Sequence, residues 1–370
     1  MKDAKGRLAA IDVARALGLV LVYYGHFVEQ VMYLKNPAAA VQYKWIYSFH
    51  MILFFILSGW VRGTRPALTP AREFVKSTLA SRIVPYLFFS ILLGVLSLIF
   101  PGWFPLVDLS TANGYFQAVM STALGFPLLN VPLWFVACLV SVECVHRVLQ
   151  GRLDTTPRIL VAALACYLAG YALNEHYFFF GQGRSFWLLH EVPVVYAFYL
   201  VGVVLGRSRA QNHVSTGAAV GLFLLALACV QLTFDLNQGP FRYLQAVIIL
   251  LSGHGHFLWF PFTALAGTVL VLALGQVLRH VSALAFLGRN ALILLGMNGV
   301  FYHFVNPPLA RWSVARLPGD GWSVFLVSIM VSVVSIGLSV PVILGLNAAV
   351  PQLVGKPRQG GRWFGPLVRE

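Results

Sequence analysis

An all-α integral membrane protein with about ten transmembrane helices and both termini cytoplasmic is the fold class this sequence predicts. Three observations predict it. Of 370 residues, 59% are hydrophobic and only 10% are charged, and mean hydropathy is +0.78, whereas soluble domains carry about 25% charge. Apolar runs of roughly the 20 residues needed to cross a bilayer recur along the whole chain. The basic residues fall on one side of the layout these runs define, as cytoplasmic segments require.

The first run, residues 9–33, follows the short basic start MKDAKGR. It is too long for a signal-peptide core and lacks a small-residue cleavage pattern, so it reads as a retained first span. Residues 43–61 and 74–100 give spans two and three. The third begins in REFVKSTLASRIVPY, which places Lys76 and Arg82 at its inner end. Residues 131–149, 158–174, 186–206 and 214–234 give spans four to seven. The stretch FRYLQAVIILLSG, residues 241–253, is apolar but short and reads as re-entrant or interfacial. Spans eight to ten fall at 258–279, 286–306 and 322–350. The layout makes residues 1–352 a single multi-pass domain and 353–370 a short basic cytoplasmic tail. No internal repeat is visible, which weighs against an inverted-repeat transporter.

With the N-terminus inside, 20 of the 26 Lys and Arg residues lie on inner segments or at the inner ends of spans. Six lie outside: Lys35, Lys44, Arg184, Arg242, Arg311 and Arg316. The long loop 101–130 has neither Lys nor Arg. The net charge of +14 is therefore topology and anionic-lipid contact, and no nucleic-acid partner is expected. Cys138, Cys144, Cys166 and Cys229 all fall within apolar runs without metal spacing, and read as inert buried thiols.

Span one carries the chemistry. In VARALGLVLVYYGHFVEQV, Arg15 and His26 interrupt an apolar helix, and an ionisable group inside a membrane is a functional candidate by default. Eleven residues at about 100° each leave the two within about 20° of one face, and separate them by about 16 Å. Asp12 and Glu29 extend the same stripe at three-residue spacing. Snorkelling explains Arg15 alone, but it does not require His26. The pair suits a ligand with an anionic head and a reactive end about 16 Å away; coenzyme A fits, its phosphates at Arg15 and its thioester at His26. Lys76 and Arg82 add to a cationic funnel or snorkel. On span two, SFHMILFFILSGW sets His50 near the outer end, while Ser58 and Gly59 read as helix packing. Trp103, Phe104, Tyr115 and Trp134, in and beside the outer loop, read either as an interfacial aromatic belt or as flat faces for a sugar ring. Glu143 on span four needs a partner, for which Arg82 and Lys76 are candidates. His190 and Glu191 start span six at the outer interface. His254 and His256 read as loop residues, because two histidines without a third ligand make a weak metal site; no metal is expected.

Arg15 and His26 with ten residues between, then FHMILFFILSG, then RIVPY, resemble the membrane acyltransferase-3 family. PLWFVACLVSVE (132–143) and FYLVGVVLG (198–206) are similar to its fucose 4-O-acetylase-like branch, and LGRNALILLGMN (287–298) to the family's late helix. The resemblance implies an integral-membrane enzyme of the bacterial inner membrane type. Such an enzyme moves an acetyl or other small acyl group from acyl-CoA, chiefly acetyl-CoA, to a carbohydrate or lipid-linked glycan. It implies that Arg15 and His26 are the family's essential pair. Arg82 matches the second arginine of a basic pair whose first is Leu79 here; Lys76 is the candidate substitute. Asn298 stands where many members have His. His26 then acts as general base or as acyl carrier, with Glu29 or Glu143 orienting its ring, Arg15, Lys76 and Arg82 on the donor, and His50, Trp103 and Trp134 on the acceptor. The competing class is a transporter or flippase of lipid-linked saccharides.

Overall fold

The computed structural model describes residues 9–65, 70–104, 107–176, 186–208 and 214–368. Lys2, Lys5, Arg7, Arg184, Arg209 and Arg369, all counted in the charge asymmetry, lie outside these. Helices run in the order α1 Ala9–Tyr33, α2 Pro37–Tyr47, α3 His50–Gly63, α4 Ala71–Thr78, α5 Val84–Ile99, α6 Ala112–Ala123, α7 Trp134–Leu149 and α8 Thr156–His176. They continue as α9 Val192–Ser208, α10 Thr216–Thr233, α11 Trp259–Val277, α12 Ser282–Arg289, α13 Ala291–Val300, α14 Asn306–Arg316 and α15 Gly321–Ala349. Among the described residues there is no β-sheet; one bridge pairs Ile248 with Gly253. Eight helices or joined helices are long and apolar enough to cross a membrane. The α12–α14 segment, bent by 74°, has the length and composition of a broken span or a re-entrant loop, and the apolar α9 has 17 residues. This is a multi-pass membrane protein.

Helix α1 is central: α2, α11, α12, α14 and α15 all pack on it. That burial is why its polar residues had to be placed with partners rather than in lipid. Helix α9 is enclosed too, and its approach to α3 is set by glycine. A Cβ on Gly59 would meet the Tyr199 carbonyl, and one on Gly202 the Ile56 carbonyl. Small residues let two membrane helices touch backbone to backbone.

Contacts gather the helix ends into two faces. At one, Arg62 donates to Gln150 (2.6 Å), Arg207 donates to the Leu153 and Asp154 carbonyls (both 3.0 Å), and Arg358 pairs with Glu73 (4.0 Å). This is the basic face, which the charge asymmetry assigns to the cytoplasm. At the other, Lys44 pairs with Asp235 (2.7 Å) and Asn36 donates to the Gly319 carbonyl (3.0 Å).

Several expectations are corrected. Span two starts at Pro37 and is two helices broken at Ser48–Phe49, where N–H groups reach back three residues as well as four. His50 therefore sits at an internal break, not at the outer end. Residues 186–191 form turns before α9 rather than its first turn. Glu191 there is fully buried, accepting from Ser252 Oγ (2.6 Å) and His254 Nε2 (2.7 Å), with His190 Nε2 3.0 Å from its carboxylate. His254 is thus a core partner of a carboxylate rather than an exposed loop residue. Loop 101–130 holds α6 and a small core of its own built on Leu93, Phe104, Leu109 and Ala118. Residues 246–250 are buried and non-α-helical, ending in a short 3-10 turn, Ile249–Leu251, which membrane proteins tolerate where protein surrounds the backbone. Cys144 is exposed rather than buried.

Candidate active site

A cavity of about 1160 Å³ opens among the helix ends of the basic face, beyond the usual small-molecule range of roughly 300–1,000 Å³. Six cationic side chains line it: Arg15, Arg65, Arg82, Arg207, Arg289 and Lys356. Asp12 is the acid on its wall, and it accepts a hydrogen bond from Arg15 at 3.1 Å. Arg65 and Arg289 form no ion pair among the described residues. Burial, then the charge of Arg82, pulls the Arg65 guanidinium below its ordinary pKa, as expected where like charges wait for an anion.

From the basic mouth the cavity follows α1. Its wall there is Ile11, Asp12, Arg15, Leu19 and Val22, one helical stripe whose next members are His26 and Glu29. Val22, Met51 and Leu295 are the lining residues nearest the next layer of polar side chains. Each lies next to a polar residue of a layer just beyond: Val22 one turn before His26, Met51 beside His50, Leu295 three residues before Asn298.

That layer is built from three spans. His26, 9% exposed, donates from Nδ1 to Asn298 Oδ1 at 2.5 Å, and its ring meets Tyr302 edge-on at 5.1 Å. Asn298 is fully buried. His26 Nε2 has no hydrogen bond among the described residues, so the tautomer fixed by Asn298 leaves Nε2 with the lone pair. His50, from the break in span two, donates from Nδ1 to the Ile46 carbonyl (3.0 Å) and packs edge-on against Tyr47 (4.6 Å). His50 and His303 are both buried. Glu29, one turn further out, accepts from the hydroxyls of Tyr33 (2.7 Å) and Tyr47 (3.4 Å). A π-helical turn, Phe301–Val305, follows Asn298; such turns mark functional sites often. It sets His303 against Phe104 (4.4 Å) and Phe304 against Trp103 (5.8 Å), bringing the outer loop onto this layer.

The expected site residues divide accordingly. Arg15 and Arg82 line the cavity; His26, His50 and Glu29 form the layer above it. Glu143 stands with neither: Arg82 Nη2 holds its carboxylate at 3.0 Å. Lys76, the candidate substitute for the arginine missing at Leu79, lies away from the cavity. It is exposed on α4 and takes no part in the cavity wall, whereas Arg82, in the π-helical turn Leu79–Ile83 that follows, does. Trp103 is 42% exposed, but Trp134 is 7% exposed in the core and offers no face to an outside ligand. Among the described residues no three His, Cys, Asp or Glu side chains are grouped to hold a metal. Sequence reasoning missed Asn298 as the partner of His26; the one amide in the apolar run ALILLGMNGV was the available signal.

If Asn298 fixes the His26 ring, Asn298→Leu should lower kcat about tenfold, the worth of one buried hydrogen bond, with donor KM unchanged. Asn298→His, which keeps a polar partner there, should retain more activity than Asn298→Leu. Equal rates for the two variants in a steady-state acyl-transfer assay would remove Asn298 from the site.

The family model for an acyltransferase domain, that of the acyltransferase-3 family, matches residues 8–344. No curated protein matches the chain, and no solved structure does.

Proposed function

The chain belongs to the acyltransferase-3 family, and from that membership and the cavity we propose that it moves a small acyl group, acetyl in the first instance, from acyl-CoA to a hydroxyl of a carbohydrate or lipid-linked glycan. The observation that carries this reading is the path of the cavity: basic at its mouth, and ending one turn below His26 on the helix stripe that begins at Arg15. The donor's phosphates bind at Arg15, Arg65 and Arg82, and the acyl-bearing arm runs along α1. Arg82 keeps Glu143 as its counter-ion, so Glu143 tempers charge at the mouth rather than orienting His26.

In the direct mechanism, His26 Nε2 takes the proton of the acceptor hydroxyl as that oxygen attacks the thioester carbonyl. The carbonyl–sulfur bond then breaks, and the imidazolium returns the proton to the leaving thiolate. In the relay, Nε2 itself attacks and the acyl-imidazole forms as the thiolate leaves; the acceptor hydroxyl then attacks the acyl carbonyl, the acyl C–N bond breaks to free Nε2, and the hydroxyl proton ends on the thiolate. Asn298 holding Nδ1–H serves either course. The acceptor approaches from the side of Glu29, Tyr33 and Trp103, where polar and aromatic groups suit a sugar ring.

Purified protein incubated with labelled acetyl-CoA tests the reaction: label should pass to a glycan acceptor or be released by hydrolysis. Arg15→Ala tests the donor site. It deletes a charge-assisted contact of about 1.5–3 kcal/mol, so donor KM should rise about tenfold or more while kcat changes little. An unchanged KM would leave Arg15 as a structural partner of Asp12.

A further inference from the structure

The family match ends at residue 344, but the cavity wall does not. Asn347, Gly355, Lys356 and Gln359 line it as well. After α15 the chain makes a short helical turn, Pro351–Val354, and reverses at Gly355, whose φ of 94° only glycine adopts without strain. The reversed segment is tied down along its length. Arg362 N–H donates to the Ala348 carbonyl (2.9 Å), Trp363 N–H to that of Ala349 (3.2 Å), and Leu367 N–H to that of Pro357 (2.9 Å). Buried Gln352 donates to the Phe364 carbonyl (3.2 Å).

Lys356 is the residue this folding delivers. Its Nζ donates to Asn290 Oδ1 (2.7 Å) and Asn347 Oδ1 (2.6 Å), and Asn347 Nδ2 donates to Asn290 Oδ1 (2.9 Å). Asn290 sits at the break between α12 and α13, where its own amide donates to the Phe286 carbonyl (2.8 Å). All three side chains line the cavity. The two amides fix the ammonium at the basic wall, and an oriented ammonium there is a phosphate ligand.

We infer that the C-terminal segment is part of the donor site and that Lys356 contacts a phosphate of the nucleotide donor, outside the domain the family shares. This rests on the reading that the donor is acyl-CoA. A tail expected to hang in the cytoplasm thereby becomes one wall of the pocket, and donor affinity depends on its folding back.

The test is calorimetric titration of full-length protein in detergent with CoA and with dephospho-CoA, which lacks the 3′-phosphate. Lys356→Gln should weaken CoA binding about tenfold, as loss of one charge-assisted contact does, and Lys356→Arg should keep most of the affinity. A loss that vanishes with dephospho-CoA assigns Lys356 to the 3′-phosphate, and one that persists assigns it to the pyrophosphate; both support the contact. Gln359 is exposed, so Gln359→Glu adds a carboxylate to the same wall without disturbing packing, and it should weaken CoA several-fold even if Lys356→Gln fails to fold. Wild-type affinity in Lys356→Gln or in Gln359→Glu overturns the tail contact alone. A wild type that binds no CoA overturns the donor reading and the tail contact with it.

Discussion

His26→Ala is expected to lower turnover by about 100-fold or more while leaving donor affinity close to wild type. The split follows from position. The cavity that would hold the donor ends at Val22, Met51 and Leu295, so deleting an imidazole beyond that end removes no phosphate contact. What goes is the nitrogen that takes the proton or carries the acyl group. Removing Arg15 should do the reverse, raising KM and sparing kcat, so the two variants together separate binding from chemistry. The comparison needs labelled CoA binding beside turnover, on protein whose elution profile matches wild type. His26→Ala turning over at near the wild-type rate would end the enzymatic reading of this helix. Intact turnover with lost donor binding would instead put His26 inside the donor pocket.

Much of this site was legible because α1 is a regular helix, and regular helices make spacing into geometry. Arg15, His26 and Glu29 fall on one stripe by arithmetic, and the cavity follows that stripe. Arg82 with Glu143 was legible for a related reason: a buried carboxylate needs a cation, and few were within reach. Asn298 was not legible, because pairing across 272 residues of sequence depends on how α13 docks against α1. Arg65 and Arg289 read as topology signals, since a basic loop residue looks the same whether it faces lipid headgroups or a cavity. Lys76 is not on the cavity wall with Arg82 because the π-helical turn after α4 resets the helix phase between them. The break before His50 leaves no proline or glycine in YSFH to announce it; it appears only as backbone bonds tighten around Ser48. The tail read as a tail because its anchoring is mostly backbone hydrogen bonds, which composition does not reveal.

The second large effect concerns the α3–α9 contact on which the cavity's shape depends. Gly59 and Gly63 face Gly202 and Gly206, and a Cβ on any of the four would meet the opposing backbone. A clash with a side chain can be relieved by a rotamer change; a clash with a carbonyl moves the helix. Gly59→Ala should therefore destabilise the protein by about 3 kcal/mol, the upper end of overpacking costs, and Gly59→Leu should leave no recoverable folded protein. The sign is the informative part, because Gly→Ala within a helix by itself stabilises by roughly 0.5–1 kcal/mol. Gly217, in the first turn of α10, has open space where its Cβ would stand, so Gly217→Ala should be neutral or slightly stabilising. Thermal unfolding of the two alanine variants in the same detergent gives the comparison. Gly63 and Gly206 also line the cavity, so a displaced α9 carries Arg207 and one wall of the proposed donor pocket with it, and Gly59→Ala should lose donor affinity at temperatures where it is still folded. If Gly59→Ala melts with or above Gly217→Ala, the two helices are not held at backbone contact, and the cavity owes its shape to other packing.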